Sequence, residues 1–198
     1  MGHREQLLEG AKRCLQEKGY TRTTARDIVA ASGTNLASIG YHYGSKEKLM
    51  NAALGELMEQ FGAHLGASLA ADMRPGASQL ERFEWYWGKV LDSMPEYRNV
   101  WSATFELYGQ LQNSPELRRH AVEGYQDGRA FWAVLLSDID AAVDPELAQA
   151  VGTLHQALLS GVLAQCLVDP DHAPSAKDMA LAMHTVAAGI MGSPATGG

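Results

Sequence analysis

Apolar residues recur at spacings of three and four along almost the whole chain, and no stretch alternates strictly between apolar and polar, so the pattern predicts an all-α fold. The first helix is expected from about Arg4 to Lys18, with Leu7, Leu8, Ala11, Cys14 and Leu15 on one face and Gly19 in the position of a left-handed cap. A second begins at Thr24, because Thr24-Ala25-Arg26-Asp27 has the form of a capping box, and it carries Ile28, Val29 and Ala31 as far as Gly33. Asn35 caps a short third helix through about His42. Gly44-Ser45 closes that helix and caps a long one, in which Leu49, Ala53, Leu57, Phe61, Leu65 and Leu69 keep a constant spacing of four until Arg74-Pro75-Gly76.

Prolines divide the remainder, since proline disrupts a helix interior. Pro75, Pro95, Pro115, Pro145, Pro170 and Pro174 separate helices expected at 77–93, 96–112, 115–137, 145–168 and 175–191. The expectation is therefore nine helices, three short ones in front and six longer ones behind. A Gly/Ser/Pro tail follows, expected to be disordered over 193–198.

A length of 198 residues with 46% hydrophobic and 20% charged residues supplies ample core. The opening run Met1-Gly2-His3-Arg4-Glu5-Gln6 has no apolar signal region, Gln6 departs from a myristoylation signal, and no uninterrupted apolar run approaches 18 residues. A cytoplasmic location with no membrane partner is expected. Cys14 and Cys166 lie among apolar neighbours with no Cys-x-x-Cys or Cys/His spacing, as buried thiols do.

The formal charge of −7 argues against a nucleic-acid partner until it is resolved along the chain. Residues 1–50 hold eight Lys/Arg against five acids, a balance of +3, which leaves −10 for the rest. A basic end on an acidic body suits a protein that meets DNA with one end only.

Within the basic end, two short helices joined by Ser32-Gly33-Thr34 have the form of a DNA-binding helix-turn-helix, with Val29, Gly33 and Ile39 as packed side chain, tight turn and inward anchor. If Ile28, Val29 and Ile39 face inward, Asn35, Leu36, Ser38, Tyr41 and His42 are left facing outward. The run Thr24 to Gly33, followed by Ala37-Ser38-Ile39-Gly40-Tyr41-His42-Tyr43-Gly44-Ser45-Lys46-Glu47-Lys48-Leu49, resembles the N-terminal signature of TetR-type (tetracycline repressor-like) transcriptional regulators. The motif covers about a quarter of the chain.

The resemblance implies a helix-turn-helix domain over 1–45, a larger helical domain over 46–192 that binds an effector and dimerises, and repression of a palindromic operator relieved by a small molecule. It implies further that Thr24 caps its helix at a phosphate and that Arg26 reaches a phosphate or base edge. Asn35, Leu36 and Ser38 would approach bases, with Leu36 and Ala37 able to touch thymine methyls, while Tyr41, His42 and Lys46 hold phosphates. Gly40 stands where many relatives have tyrosine, and a glycine there weakens the helix by about 1 kcal/mol. Arg4, Lys12, Arg13 and Lys18 read as a solvated face, and Tyr43 as a packing residue.

Large aromatics crowd the middle of the chain. Packing accounts for most of them, and Trp85, Trp87, Trp101, Phe105, Tyr108, Tyr125 and Trp132 are the candidates for a pocket holding a largely apolar effector. The last two helices carry apolar stripes, Leu147, Val151, Leu154, Leu158 and Val162 in one and Met179, Met183, Val186 and Ile190 in the other, compatible with the four-helix homodimer contact that the resemblance implies. No Gly-x-Ser-x-Gly, His-Glu-x-x-His, phosphate loop or Gly-x-Gly-x-x-Gly occurs, so neither enzymatic activity, a cofactor nor a metal is expected. The alternatives are a helical small-molecule-binding protein and an activator with a different DNA response.

Overall fold

Caps and glycines set the first four helices, as the lack of proline before residue 75 requires. The computed structural model describes residues 2–74 and 76–191, and among them there is no strand. Helix α1 spans His3–Lys18 and ends at Gly19, whose φ of 83° lies in the left-handed region where only glycine is unstrained. Helix α2 spans Ala25–Ser32. Its capping box is fully formed: Thr24 Oγ1 accepts from the Asp27 N–H at 3.2 Å, and Asp27 accepts from the Thr24 N–H at 2.8 Å. Helix α3 spans Leu36–Tyr43, with the Asn35 side chain accepting from the Ser38 N–H at 3.0 Å. Helix α4 spans Lys46–Asp72, and Ser45 Oγ accepts from the Lys48 N–H at its start.

The later helices are α5 (Gln79–Asp92), α6 (Met94–Tyr108), α7 (Pro115–Ser137), α8 (Pro145–Val168) and α9 (Ala176–Met191), with a short 3-10 turn at Pro170–His172. Helix α6 differs from expectation at both ends. Pro95 occupies its first turn, where its missing N–H costs nothing, so the helix begins at Met94. At the other end it gives way to turns over 109–113, closed by the Gln110 N–H on Leu107 and the Asn113 N–H on Gln110. The expected tail at 193–198 lies outside the described residues.

Contacts divide the chain into two compact units. One takes the described part of Met1–Ala67 together with Ser93–Ala121; the other takes Ser68–Asp92 with the described part of Val122–Gly198. In the first unit Leu7, Ala11 and Leu15 of α1 pack with Ile28, Ile39, Leu49, Met50 and Ala53, and Val100 and Ala103 of α6 complete the core. The spacing of four in α4 buries Leu49, Ala53, Leu57, Phe61 and Leu65. Gly10 lets α1 cross α2 closely, because a Cβ there would stand 2.8 Å from the Ser32 Cβ and 3.0 Å from the Ile28 carbonyl oxygen.

Of the four cations of α1 expected on a solvated face, Arg4, Arg13 and Lys18 are exposed and Lys12 is not. Lys12 is buried and its ammonium reaches Glu9 at 2.6 Å and Glu56 at 3.1 Å, so its charge is paired as burial demands. Arg13 donates to the Ala31 carbonyl, Lys18 pairs with Asp27, and the Arg4 guanidinium lies over the Tyr43 ring. Tyr43 is a packing residue as expected, and its hydroxyl donates to the Arg4 carbonyl at 2.9 Å.

In the second unit Phe83, Tyr86, Trp87 and Val90 of α5 form a core with Trp132, Ala133 and Leu136 of α7 and Ala148, Val162 and Leu163 of α8. The Tyr86 ring lies 5.0 Å from that of Trp132 and 5.4 Å from that of Trp87, and complete burial pushes the Tyr86 phenol far above its ordinary range. Cys14 and Cys166 are free, buried thiols, as expected.

Helix α8 corrects the reading of the sequence for membrane-length segments. An 18-residue window within Pro145–Val168 averages a hydropathy of 1.4, enough by length and composition to cross a membrane. Scattered Gln, His and Thr break every uninterrupted apolar run there, but the abundant Ala, Leu and Val outweigh them in the mean. Only 22% of that window is buried.

Candidate nucleic-acid interface

Helix α3 is short, capped at both ends and half embedded, so its exposed arc is fixed by the side chains that hold it down. Ser38 and Ile39 are buried, 8% and 4% exposed, while Leu36, Ala37, Gly40 and Tyr41 all face solvent, Tyr41 at 86%. At about 100° per residue these four positions form one contiguous arc of about 140°. Asn35 precedes the arc. Its side-chain carbonyl takes both the Ser38 N–H and the Ser38 hydroxyl, at 3.0 and 3.2 Å, which leaves its NH2 group as the donor facing outward chemistry.

Ser38 therefore departs from its expected base-facing role. It is covered, and its hydroxyl is engaged by the residue that caps the helix. Sequence reasoning anchored α3 on Ile39 alone and treated both flanks as outward, whereas helical periodicity places 38 and 39 together on the inner side and 37 and 40 on the outer. Gly40 lies on the outer side as expected, and its Cβ position has nothing within 4 Å.

The remaining candidates differ in how far their polar groups are already engaged. Thr24 is exposed at the start of α2, with its hydroxyl donating to Asp27 at 2.6 Å. Arg26 is exposed and makes no hydrogen bond or ion pair among the described residues. His42 is half-buried, its ring edge-on to Tyr41 at 4.8 Å. Lys46 is half-buried too: its ammonium donates to the Thr23 carbonyl at 3.2 Å and stands 3.6 Å from Glu47. An ammonium has three donors, so this anchoring leaves one N–H to offer outward. Lys48, in contrast, pairs with Glu116 at 2.6 Å.

The aromatic residues proposed for an effector divide between the units. Trp101, Phe105 and Tyr108 belong to the first, where Trp101 packs edge-on to Phe61 at 5.1 Å and Phe105 meets Tyr108 at 5.8 Å. Trp85, Trp87, Tyr125 and Trp132 belong to the second. Trp87 and Trp132 are buried core residues, and Tyr125 lies under the Arg129 guanidinium. Trp85 lines an open groove of about 440 Å³ beside Glu84, Lys89 and Asp92. The indole N–H groups of Trp87 and Trp101 are buried and find no acceptor among the described residues.

Nine α-helices among the described residues, with a helix-turn-helix whose second helix presents an open arc, define a helical DNA-binding-type architecture. Residues 7–53 match the model of "Bacterial regulatory proteins, tetR family", and residues 78–189, more than half of the chain, match that of "Tetracyclin repressor-like, C-terminal domain". The chain belongs to the TetR family.

It is 33% identical over 105 residues to the HTH-type transcriptional repressor AcnR of Corynebacterium efficiens, a match covering 50% of this chain and 56% of that protein. It is 27% identical over 117 residues to the HTH-type transcriptional repressor Rv1474c of Mycobacterium tuberculosis, covering 59% of this chain and 54% of that protein. The chain thus spans about half the length of the curated relatives it matches. Its fold is similar to that of the multidrug binding protein EbrR complexed with proflavin, with a TM-score of 0.66, 20% identity and 93% and 99% of the two chains covered. A TetR family member from Streptomyces coelicolor, SCO1917, gives a TM-score of 0.66 at 22% identity over 94% and 98% of the chains.

Proposed function

We propose that this protein is a cytoplasmic transcriptional repressor that binds a palindromic operator as a homodimer and releases it when a small, largely apolar effector binds its C-terminal domain. The observation that carries this reading is the open arc of α3: Leu36 and Tyr41 are large side chains left 53% and 86% exposed on a helix otherwise fixed to a well-packed core. Functionally the division falls at residue 45, because α1 to α3 carry the DNA contacts, Lys46 at the start of α4 excepted, and residues 46–192 the effector and dimer surfaces.

In this reading Arg26, Asn35, Leu36 and Tyr41 meet the major groove and its edges, while Thr24, His42 and Lys46 hold phosphates. Ser38 supports α3 from within. Helices α8 and α9 pair with those of a second copy, since Leu147, Leu154, Leu181, Val186 and Ile190 are exposed apolar side chains along them. An effector acts by its unequal affinity for two dimer states that differ in the spacing of the α3 pair.

Selection of bound fragments from a randomised synthetic duplex pool tests the reading. The expected result is a sequence with two inverted half-sites, and titration of small apolar compounds then identifies those that release it. Ligand binding without retention of any duplex would replace the repressor with a helical small-molecule-binding protein.

A further inference from the structure

The exposed arc of α3 has an unusual chemistry for a surface that meets base edges. At its centre stand Ala37 and Gly40, a methyl group and a hydrogen, flanked by the Leu36 side chain on one side and the Tyr41 ring on the other. No charged side chain lies on the arc. The side-chain carbonyl of Asn35 is occupied by Ser38, and the Ser38 hydroxyl is turned inward to it, so neither offers an acceptor or hydroxyl to a base. The open space at the Gly40 Cβ position further allows the helix backbone to come close to whatever faces it.

Resting on the DNA-binding reading above, we infer that α3 recognises thymine by its 5-methyl group, with Leu36 and Ala37 as the specificity-determining residues. The major-groove edges of the four base pairs present hydrogen-bond donors and acceptors and one apolar group, the thymine methyl. A saddle without free donors or acceptors at its centre has only that group as a favourable complement, and facing it with a guanine or adenine edge leaves a polar atom desolvated and unpaired. The operator half-site accordingly places thymines opposite the centre of α3. Tyr41, whose ring is fixed edge-on to His42, marks the boundary of the apolar patch.

The test uses the unaltered protein and a duplex recovered from the synthetic pool, in which thymine is the sole base carrying a 5-methyl group. Each thymine of one half-site is replaced in turn by deoxyuridine, which removes the methyl and keeps every hydrogen-bonding group. Removal of a buried methyl is expected to weaken binding about fourfold at the thymines under the arc and to change nothing elsewhere. Leu36→Ala should abolish the thymine-uracil difference at one position, and Ala37→Gly at another. Uniform tolerance of uracil at every thymine, or differences that persist undiminished in both variants, would overturn methyl recognition while leaving DNA binding intact. Failure to recover any bound duplex would overturn the DNA-binding reading, and this inference with it.

Discussion

Asp27 of α2 holds the ammonium of Lys18 of α1 at 2.5 Å while accepting the backbone N–H of Thr24 at 2.8 Å and its hydroxyl at 2.6 Å. One carboxylate thus starts the first helix of the helix-turn-helix and ties it to α1. The Lys18 contact first, and the Thr24 bonds after it, hold the Asp27 carboxyl well below the usual carboxylate range. A depressed folded-state value means that the stabilisation is complete above the unfolded-state value of about 3.9 and is lost as pH falls towards the folded one. Asp27→Asn should lower the unfolding midpoint at pH 7, and the gap from the unaltered protein should shrink as pH is lowered from 5 to 3. A pH-independent gap in denaturant titrations would show that charge is not what Asp27 contributes.

Gly152 of α8 is packed so tightly on α7 that a Cβ would overlap the Arg129 carbonyl, with the carbonyl carbon and Cα at 2.7 Å. Main chain cannot move aside as a flexible side chain does. Gly152→Ala is expected to destabilise the fold by about 1–3 kcal/mol or more, read as a lower urea midpoint at unchanged slope. Gly124→Ala, on an exposed stretch of α7 with nothing within 4 Å, should instead gain about 0.5–1 kcal/mol. Equal effects at the two positions would contradict the close α7–α8 approach.

Arg26, Lys46 and Ser38 separate DNA contact from support. Arg26→Ala removes an unengaged, exposed cation, so the thermal midpoint should stay put while the slope of log K against log salt falls by about one unit. Lys46→Ala also strips the Thr23 carbonyl of its donor, at a cost of about 1–3 kcal/mol, and should lower both the midpoint and the slope. Ser38→Ala should leave base discrimination unchanged, because that hydroxyl faces Asn35. A lowered midpoint for Arg26→Ala, or lost discrimination for Ser38→Ala, would reassign these roles.

The apolar faces of α8 and α9 should close on a second copy. Sedimentation equilibrium at micromolar concentration is expected to give twice the chain mass of 21.4 kDa, and Leu181→Glu, at a position 67% exposed, should yield a folded monomer. A dimer indifferent to a buried charge at 181 would move the interface elsewhere.

Local chemistry made much of this fold legible in the sequence. The Thr24 capping box, the Asn35 cap, the stops at Gly19 and Gly33 and the stripe from Leu49 to Leu65 each depend on residues within a turn or two of one another, and all stand in the structure. What escaped depends on partners distant in the chain. Lys12 reads as a surface cation until Glu56, 44 residues on, is brought beside it. Lys46 reads as a free phosphate donor until the Thr23 carbonyl is found under its ammonium. Ser38 was within reach of sequence reasoning, since periodicity alone puts it beside Ile39. The aromatic residues were beyond it: aromatic composition cannot say which ring packs on which, and Trp101 and Trp87 belong to different compact units.

The central claim, that the arc from Leu36 to Tyr41 reads operator DNA, is tested most directly by equilibrium binding of the unaltered protein to the selected duplex and to a scrambled duplex of equal length and composition, at one salt concentration near 0.15 M. A preference of about 10³-fold or more for the selected duplex is predicted, falling steeply in Leu36→Ala. Equal affinity for the two duplexes, or a preference untouched by Leu36→Ala, would contradict it.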